Sequence, residues 1–207
     1  MGEYAELELL QTLERGLSDA YMLFHSVDWS RGVGGNEQHG EIDIVIVSQA
    51  GDMLLVEVKF GDVNFTPDGI IKTYGTQVKN ITRQIGIQYS ALKSWLEDSG
   101  LLVHLRHLLV TPHLKVQTET PQWPRELIVD SADNDNIVTR ISHSMGSGIP
   151  NALIYPRVVA FFENKFQDVP DVFVLAGRIQ QSATRMSAGL ATWVPRVTSA
   201  SGLLAGC

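Results

Sequence analysis

The chain has 207 residues, of which 44% are hydrophobic and 19% charged, so it is long enough for one full core and typical of a globular domain. Its net charge of −7 argues against a protein that coats nucleic acid in general, but it allows an enzyme with local basic contacts. Cys207 is the single cysteine, so we expect a reducing, cytoplasmic setting. No apolar run approaches the roughly 20 residues of a membrane-spanning helix, so we expect no membrane partner.

Predicted helices and strands alternate along the chain, which indicates an α/β domain with a mixed sheet. Leu10, Leu13 and Leu17 share one face of a predicted helix over Tyr4–Leu17, and Glu6 lies at the end of that apolar stripe. The next predicted elements are a strand Tyr21–Val27, a polar, glycine-rich loop Asp28–Gly40, and strands Ile42–Val47 and Met53–Lys59. They are followed by a hairpin-like segment Phe60–Thr76, with a turn at Pro67-Asp68-Gly69, and by a helix Lys79–Leu96. The rest of the domain is predicted to contain strands Leu101–Val110 and Glu126–Asp130, helices Asn134–Ser144 and Val158–Phe166, and a strand or helical extension at Asp171–Leu175.

The composition of the chain changes after Arg178. Gln180–Cys207 is rich in Ser, Thr, Ala and Gly and contains few large aliphatic residues. We therefore predict a domain over residues 1–178 and a linker or tail over residues 179–207.

Two neighbouring apolar strands each carry a carboxylate. Asp43 interrupts Ile42–Val47, and Glu57 interrupts Met53–Lys59. A carboxylate that is buried unpaired in such a strand costs several kcal/mol or is forced to protonate. Asp43, Glu57 and Lys59 therefore need a compensating partner, and a divalent cation bound for phosphodiester chemistry is the best candidate.

The length of the turn between these strands decides whether the two acids share a face. A three-residue loop that ends at a left-handed Gly51 would place Asp43 opposite Glu57, with Cβ atoms about 5 Å apart. Lys59, two residues after Glu57, would then project to the same side. A two-residue loop would instead place Asp43 opposite Val58 and leave Glu57 on the other face.

Two carboxylates held so close repel each other unless protons or cations intervene. Their hard oxygen atoms suit Mg²⁺ or Mn²⁺, which could polarise a phosphate oxygen and activate a water molecule. Lys59 could orient that water or stabilise charge in the transition state. The alternative is an ordinary Glu57–Lys59 ion pair on a half-exposed strand, and the presence of Asp43 and Glu6 favours the metal site over it.

In order and spacing these residues resemble the NERD (nuclease-related) branch of the PD-(D/E)xK nuclease superfamily. The resemblance extends from Glu6 to about Leu96 and rests on the segments Glu6–Leu13, Gly40–Asp43, Val56–Lys59 and Asn80–Gln84. This chain departs from many relatives at Ile81, where they have proline, and it differs in detail between Lys59 and Asn80.

The resemblance implies a restriction-endonuclease-like fold, with a mixed central sheet flanked by helices. The implied ligands of Mg²⁺ or Mn²⁺ are Asp43, Glu57, the Val58 carbonyl and Glu6, the last directly or through water. Lys59 would be the catalytic lysine, and Gln84 would arrange the site or contact the substrate backbone.

These observations predict a metal-dependent nuclease that hydrolyses phosphodiester bonds in DNA, in repair, processing or defence. The alternative is a non-catalytic nucleic-acid-binding or adaptor module on the same fold. A homodimer is compatible with this prediction, because many nucleases of this kind pair to cut both strands. Leu190–Arg196 resembles the segment that precedes the motor in proteins that join a NERD domain to a superfamily 1 helicase. A helicase motor in cis or trans is therefore a further predicted partner. The other interpretation of this segment is an ordinary flexible tail.

Overall fold

The computed structural model describes residues 2–33, 36–146, 148–166 and 197–199. Its helices are α1 (Gly2–Gly16), α2 (Ile81–Asp98), α3 (Ile137–Met145) and α4 (Tyr155–Phe166). Its strands are β1 (Tyr21–Val33), β2 (Asn36–Ser48), β3 (Met53–Val58), β4 (Asn64–Thr66), β5 (Gly69–Tyr74), β6 (Gln77–Asn80), β7 (Leu105–Thr111), β8 (Ile128–Asp130) and β9 (Val197–Ser199). The element predicted at Asp171–Leu175 lies outside the described residues, as does most of the predicted tail.

Six strands form one mixed sheet in the order β8-β7-β3-β2-β1-β9. Strands β1, β2 and β3 pair in antiparallel fashion, β7 and β8 continue parallel to β3, and β9 is parallel to β1. The parallel step from β3 to β7 needs a crossover connection, which the segment that includes α2 supplies. The predicted α/β architecture, a mixed central sheet flanked by helices, is confirmed.

Apolar side chains cover both faces of this sheet. On one face, Leu10 and Leu13 of α1 and Ile141 of α3 are buried against the strands. On the other face, Leu92 of α2 and Phe162 of α4 are buried in a second cluster. Helices α1 and α2 therefore lie on opposite faces of the sheet, and side chains from both can approach one end of β3. None of the described helices has the length and apolar character needed to cross a membrane.

The segment Asp28–Gly40, predicted as a loop, instead belongs to a long hairpin. Strands β1 and β2 stay paired almost to its tip, and Trp29 lies opposite Gly40. A Cβ atom on Gly40 would lie only 2.6 Å from the Trp29 ring, so the indole packs directly on the glycine backbone. This cross-strand packing, with the strand-favouring Val27 and Trp29, outweighs the polar composition that predicted a loop.

The segment predicted to be hairpin-like forms a second, antiparallel sheet in the order β4-β5-β6, which we call the small sheet. The predicted turn is confirmed, since Thr66 pairs with Gly69 across it. Thr82 of α2 anchors the small sheet: its Oγ1 accepts hydrogen bonds from the Ile70 N–H (2.8 Å) and the Trp123 Nε1–H (2.7 Å).

Several predicted boundaries shift by a few residues, and a side-chain cap explains the shift at the start of α2. Helix α2 begins at Ile81 rather than Lys79, since the Asn80 side chain accepts a hydrogen bond from the Arg83 N–H (2.8 Å). Before α3, residues 131–136 form a 3-10 helix, and Asp130 with Asp133 makes a capping box at its start. Strand β7 begins at Leu105 rather than Leu101, and α4 begins at Tyr155 rather than Val158.

Candidate active site

The turn between β2 and β3 sets the two strand acids side by side. The Ser48 N–H donates to the Asp52 carbonyl (2.9 Å), and Gly51 has a φ of 87°. The three-residue loop is therefore confirmed, and the two-residue alternative is wrong. The Cα pairing of β2 with β3, continued by one residue, sets Asp43 opposite Glu57.

Lys59 lies between the two carboxylates. Its Nζ forms an ion pair with Glu57, is 3.6 Å from the Asp43 Oδ2 and donates to the Val58 carbonyl (3.1 Å). The exposed fractions are 8% for Asp43, 3% for Glu57 and 9% for Lys59. The structure thus brings the three predicted charged residues into one buried group at the end of β3.

Asp43 has too little positive charge around it. Burial raises the pKa of its carboxyl well above the ordinary value, and the negative charges of Glu57 and Glu6 raise this pKa further. Lys59 and the Val58 N–H, which donates to the Asp43 Oδ2 (2.6 Å), act in the opposite direction without cancelling the rise. A bound cation would supply the missing charge, because opposite charge nearby favours the ionised carboxylate.

Lys59 keeps its proton in this environment. Burial alone would lower the pKa of the Lys59 ammonium, but the charges of Glu57 and Asp43 and the hydrogen bond to Glu57 together raise it above the ordinary value. A lysine that stays protonated cannot act as a general base. Both roles predicted for Lys59, orienting the water and stabilising negative charge on a reacting phosphate, are open to a protonated amine.

Two glutamines from consecutive turns of α2 hold Glu57. The Gln84 Nε2 donates to the Glu57 Oε1 (2.5 Å), and the Gln88 Nε2 donates to the Glu57 Oε2 (3.1 Å). Gln88 also donates to the Glu41 carbonyl (2.6 Å) and is almost fully buried. Sequence reasoning identified Gln84 but missed Gln88, whose signal was a polar residue on the apolar stripe of α2, four residues after Gln84.

Glu6 approaches the group from α1. It is partly buried, and its charge is close enough to Asp43 to raise the pKa of that carboxyl. Since α1 and α2 lie on opposite faces of the sheet, the site is built from the neighbouring strands β2 and β3 and from two helices.

The oxygen atoms available to a metal are those of Asp43 and Glu57 and the Val58 carbonyl, with Glu6 nearby. Among the described residues, no group of three or more His, Cys, Asp or Glu side chains could hold a metal ion by itself. Mg²⁺ needs no such cage, because it is usually bound by one or two carboxylates together with waters and substrate phosphates. The chemistry of these donors therefore fits Mg²⁺ or Mn²⁺.

Strand β1 is irregular where it faces the site. The register of β1 and β2 sets Ser26 opposite Asp43, and Ser26 has a φ of 55°, in the left-handed region that residues other than glycine rarely adopt. Phe24 and Val27 are buried on the same face of the sheet, although their odd spacing would place them on opposite faces of a regular strand. Such irregularities often re-aim side chains beside active sites, and nothing in the local sequence predicts this one.

Comparison with known families bears on the same part of the chain. The family model of the nuclease-related domain, NERD, matches residues 1–112, which is more than half of the 207 residues. The chain belongs to the NERD family. The match includes every side chain of the site described above. No curated protein and no solved structure matches the chain significantly.

Membership of the NERD family supports a function related to that of nucleases. The predicted family is thus confirmed, whereas the match ends before Leu190–Arg196 and shows no association with a helicase. That segment also lies outside the described residues.

Proposed function

We propose that this NERD domain hydrolyses phosphodiester bonds in DNA with Mg²⁺ or Mn²⁺. The observation that supports it most is the convergence of Asp43 and Glu57 on one buried position, beside Lys59, with the pKa of Asp43 raised. An ordinary structural ion pair would need only one of these acids. A second, uncompensated acid is what a cation site requires.

Each residue of the site would have a distinct role in metal binding or in charge stabilisation. Asp43, Glu57 and the Val58 carbonyl would hold the metal, which when bound supplies polarisation of a phosphate oxygen and activation of a water. Protonated Lys59 stabilises the negative charge that develops on the phosphate oxygens.

The remaining two positions support this centre. Glu6 would assist metal binding directly or through water. Gln84 keeps the Glu57 carboxylate in one orientation by donating a hydrogen bond to it, as neighbours of metal ligands commonly do.

The relation to the NERD family supports nucleic acid as the substrate. DNA is the proposed substrate, with a role in its repair, processing or defence, in the cytoplasm. A homodimer and a helicase motor in cis or trans remain predictions, to be tested by the mass of the protein in solution and by co-purification.

A cleavage assay separates catalysis from the alternative of a binding or adaptor module. Plasmid and single-stranded DNA are incubated with the purified chain in Mn²⁺, in Mg²⁺ and in EDTA. We expect cleavage with the metal ions, none in EDTA, and a loss of at least about 100-fold in Lys59→Ala, as is typical when a charge-stabilising group is removed. Lys93→Ala is the control, because Lys93 is exposed on α2 and, within the described part of the chain, pairs only with Glu97.

Binding of DNA without cleavage by the wild-type chain would favour the adaptor module and contradict the proposal. Undiminished cleavage by Lys59→Ala would contradict the role given to Lys59.

A further inference from the structure

One face of the small sheet carries cationic and aromatic side chains next to the catalytic centre. Lys72 of β5 lies directly opposite Lys79 of β6, so both project to the same face. Tyr74, two residues after Lys72, shares that face. The ammonium groups of Lys72 and Lys79 lie 5.1 Å and 5.3 Å from the centroid of the Tyr74 ring. We call Lys72, Tyr74 and Lys79 the lysine–tyrosine face.

The lysine–tyrosine face is directed towards the active site. The Lys72 ammonium donates to the carbonyl of Phe60, the residue that follows Lys59. Burial lowers the pKa of Lys72, and the nearby positive charge of Lys59 lowers it further. Tyr74 is also close enough to Lys59 to affect the pKa of that ammonium. The two lysines and the tyrosine ring therefore lie around the same space as the catalytic residues.

Lys72 has a charge that the protein does not neutralise well. Lys72 is buried, and in the part of the chain that the structure describes it forms no ion pair. The negative charge of Asp62 raises the pKa of Lys72 but does not cancel the lowering. The positive charges of Lys72 and Lys59 repel each other, and an anion next to Lys72 would offset this repulsion. A phosphate group has the required charge.

We propose that the lysine–tyrosine face binds a single strand of nucleic acid beside the catalytic centre, with phosphates on Lys72 and Lys79 and an unpaired base stacked on Tyr74. This inference rests on the proposed function. Lysine contacts to phosphate are independent of sequence, and an aromatic ring adds stacking with any base that is not paired. The tyrosine ring, which is 44% exposed, thus favours a single strand over an intact duplex.

The test measures DNA binding by the full chain in EDTA, where metal-dependent cleavage is absent. Fluorescence anisotropy is recorded with labelled single-stranded and duplex DNA of equal length at several salt concentrations. Tyr74→Ala should weaken single-strand binding by roughly 5- to 100-fold and leave duplex binding almost unchanged, while Tyr74→Phe retains binding. Lys79→Ala should weaken binding to both and reduce the salt slope by about 1.

Two further variants provide a second test of the lysines and a control for the loss of charge. Lys72→Met preserves the buried aliphatic chain and should weaken binding as Lys79→Ala does, with circular dichroism to check the fold. Lys93→Ala removes the same charge from α2 and should bind as the wild type does.

Single-strand binding that is unchanged in Tyr74→Ala, or Lys79→Ala binding that equals that of Lys93→Ala, would overturn the inference. If the wild-type chain binds and cleaves DNA in these cases, the proposed function stands and only the inference fails. A wild-type chain that neither binds nor cleaves DNA would overturn both.

Discussion

At Asp43 the proposed binding of a metal is expected to oppose the stability of the fold. Its carboxylate is buried opposite Glu57, and burial with the charges of Glu57 and Glu6 raises its pKa. In Asp43→Asn the charge is removed, while an amide oxygen can still accept the hydrogen bond from the Val58 N–H. We expect this variant to increase the free energy of unfolding in EDTA by about 1 kcal/mol, measured by chemical denaturation.

The gain in Asp43→Asn should depend on pH in a defined direction. Because the folded pKa of Asp43 lies above the unfolded one, the folded wild type binds the proton more tightly, and its stability falls as pH rises between these two values. The advantage of the variant should therefore be absent below the unfolded pKa and complete above the folded pKa. A variant that is less stable than the wild type in EDTA would instead assign Asp43 to a structural ion-pair cluster.

Gln88 is expected to position Glu57 for metal binding. Gln88→Ala removes one of the two amide donors to the Glu57 carboxylate, so the ligand should become less well oriented. We expect about 10-fold weaker binding of Mn²⁺, measured by calorimetry, since loss of a group that orients a metal ligand typically costs this much or more. Ser90→Ala is the control, as Ser90 is exposed and its hydroxyl donates to the helix backbone at the Gly86 carbonyl. Equal affinities in Gln88→Ala and the wild type would remove Gln88 from the site.

At the scale of elements, Thr82 joins the small sheet to α2. Thr82→Val keeps the shape of the side chain but leaves the Ile70 N–H and the Trp123 Nε1–H without their acceptor. We expect the free energy of unfolding to fall by about 1–3 kcal/mol, because buried donors without partners are unfavourable. Hydrogen exchange followed by mass spectrometry should become faster in β4–β6. Thr12→Val on the exposed side of α1 is the control, and equal exchange in both variants would contradict this role for Thr82.

A helix, strand or turn could be predicted from the sequence where neighbouring residues determine its structure. Gly51 favours a three-residue loop over the two-residue alternative, and the structure has this loop, which sets Asp43 opposite Glu57. The hairpin over Asp28–Gly40 was not predictable, because its packing of Trp29 on Gly40 joins residues that the sequence separates.

The same limit applies to Gln88. Its position on the buried side of α2 was evident from helical spacing, but its contact with Glu57 depends on how α2 lies across the sheet. The packing of a helix on a strand that is distant in the sequence cannot be inferred from a pattern of neighbouring residues.

At the scale of the whole molecule, the sheet brings together residues that lie far apart in the chain. Helices α1 and α2 pack on opposite faces, and this arrangement directs Glu6, Gln84 and Gln88 to the end of β3 that carries Glu57. The net charge of −7 is compatible with DNA as substrate because lysines are grouped around this end of the sheet.

Calorimetric titration with Mn²⁺ tests the central claim, that Asp43 and Glu57 form one metal site. The wild-type chain should bind Mn²⁺ at a saturable site, with an affinity that increases as pH rises towards the raised pKa of Asp43, because a proton on that carboxyl competes with the metal. Asp43→Asn should lose this binding while remaining folded. Absence of saturable binding in the wild type, or unchanged binding in Asp43→Asn, would contradict the account.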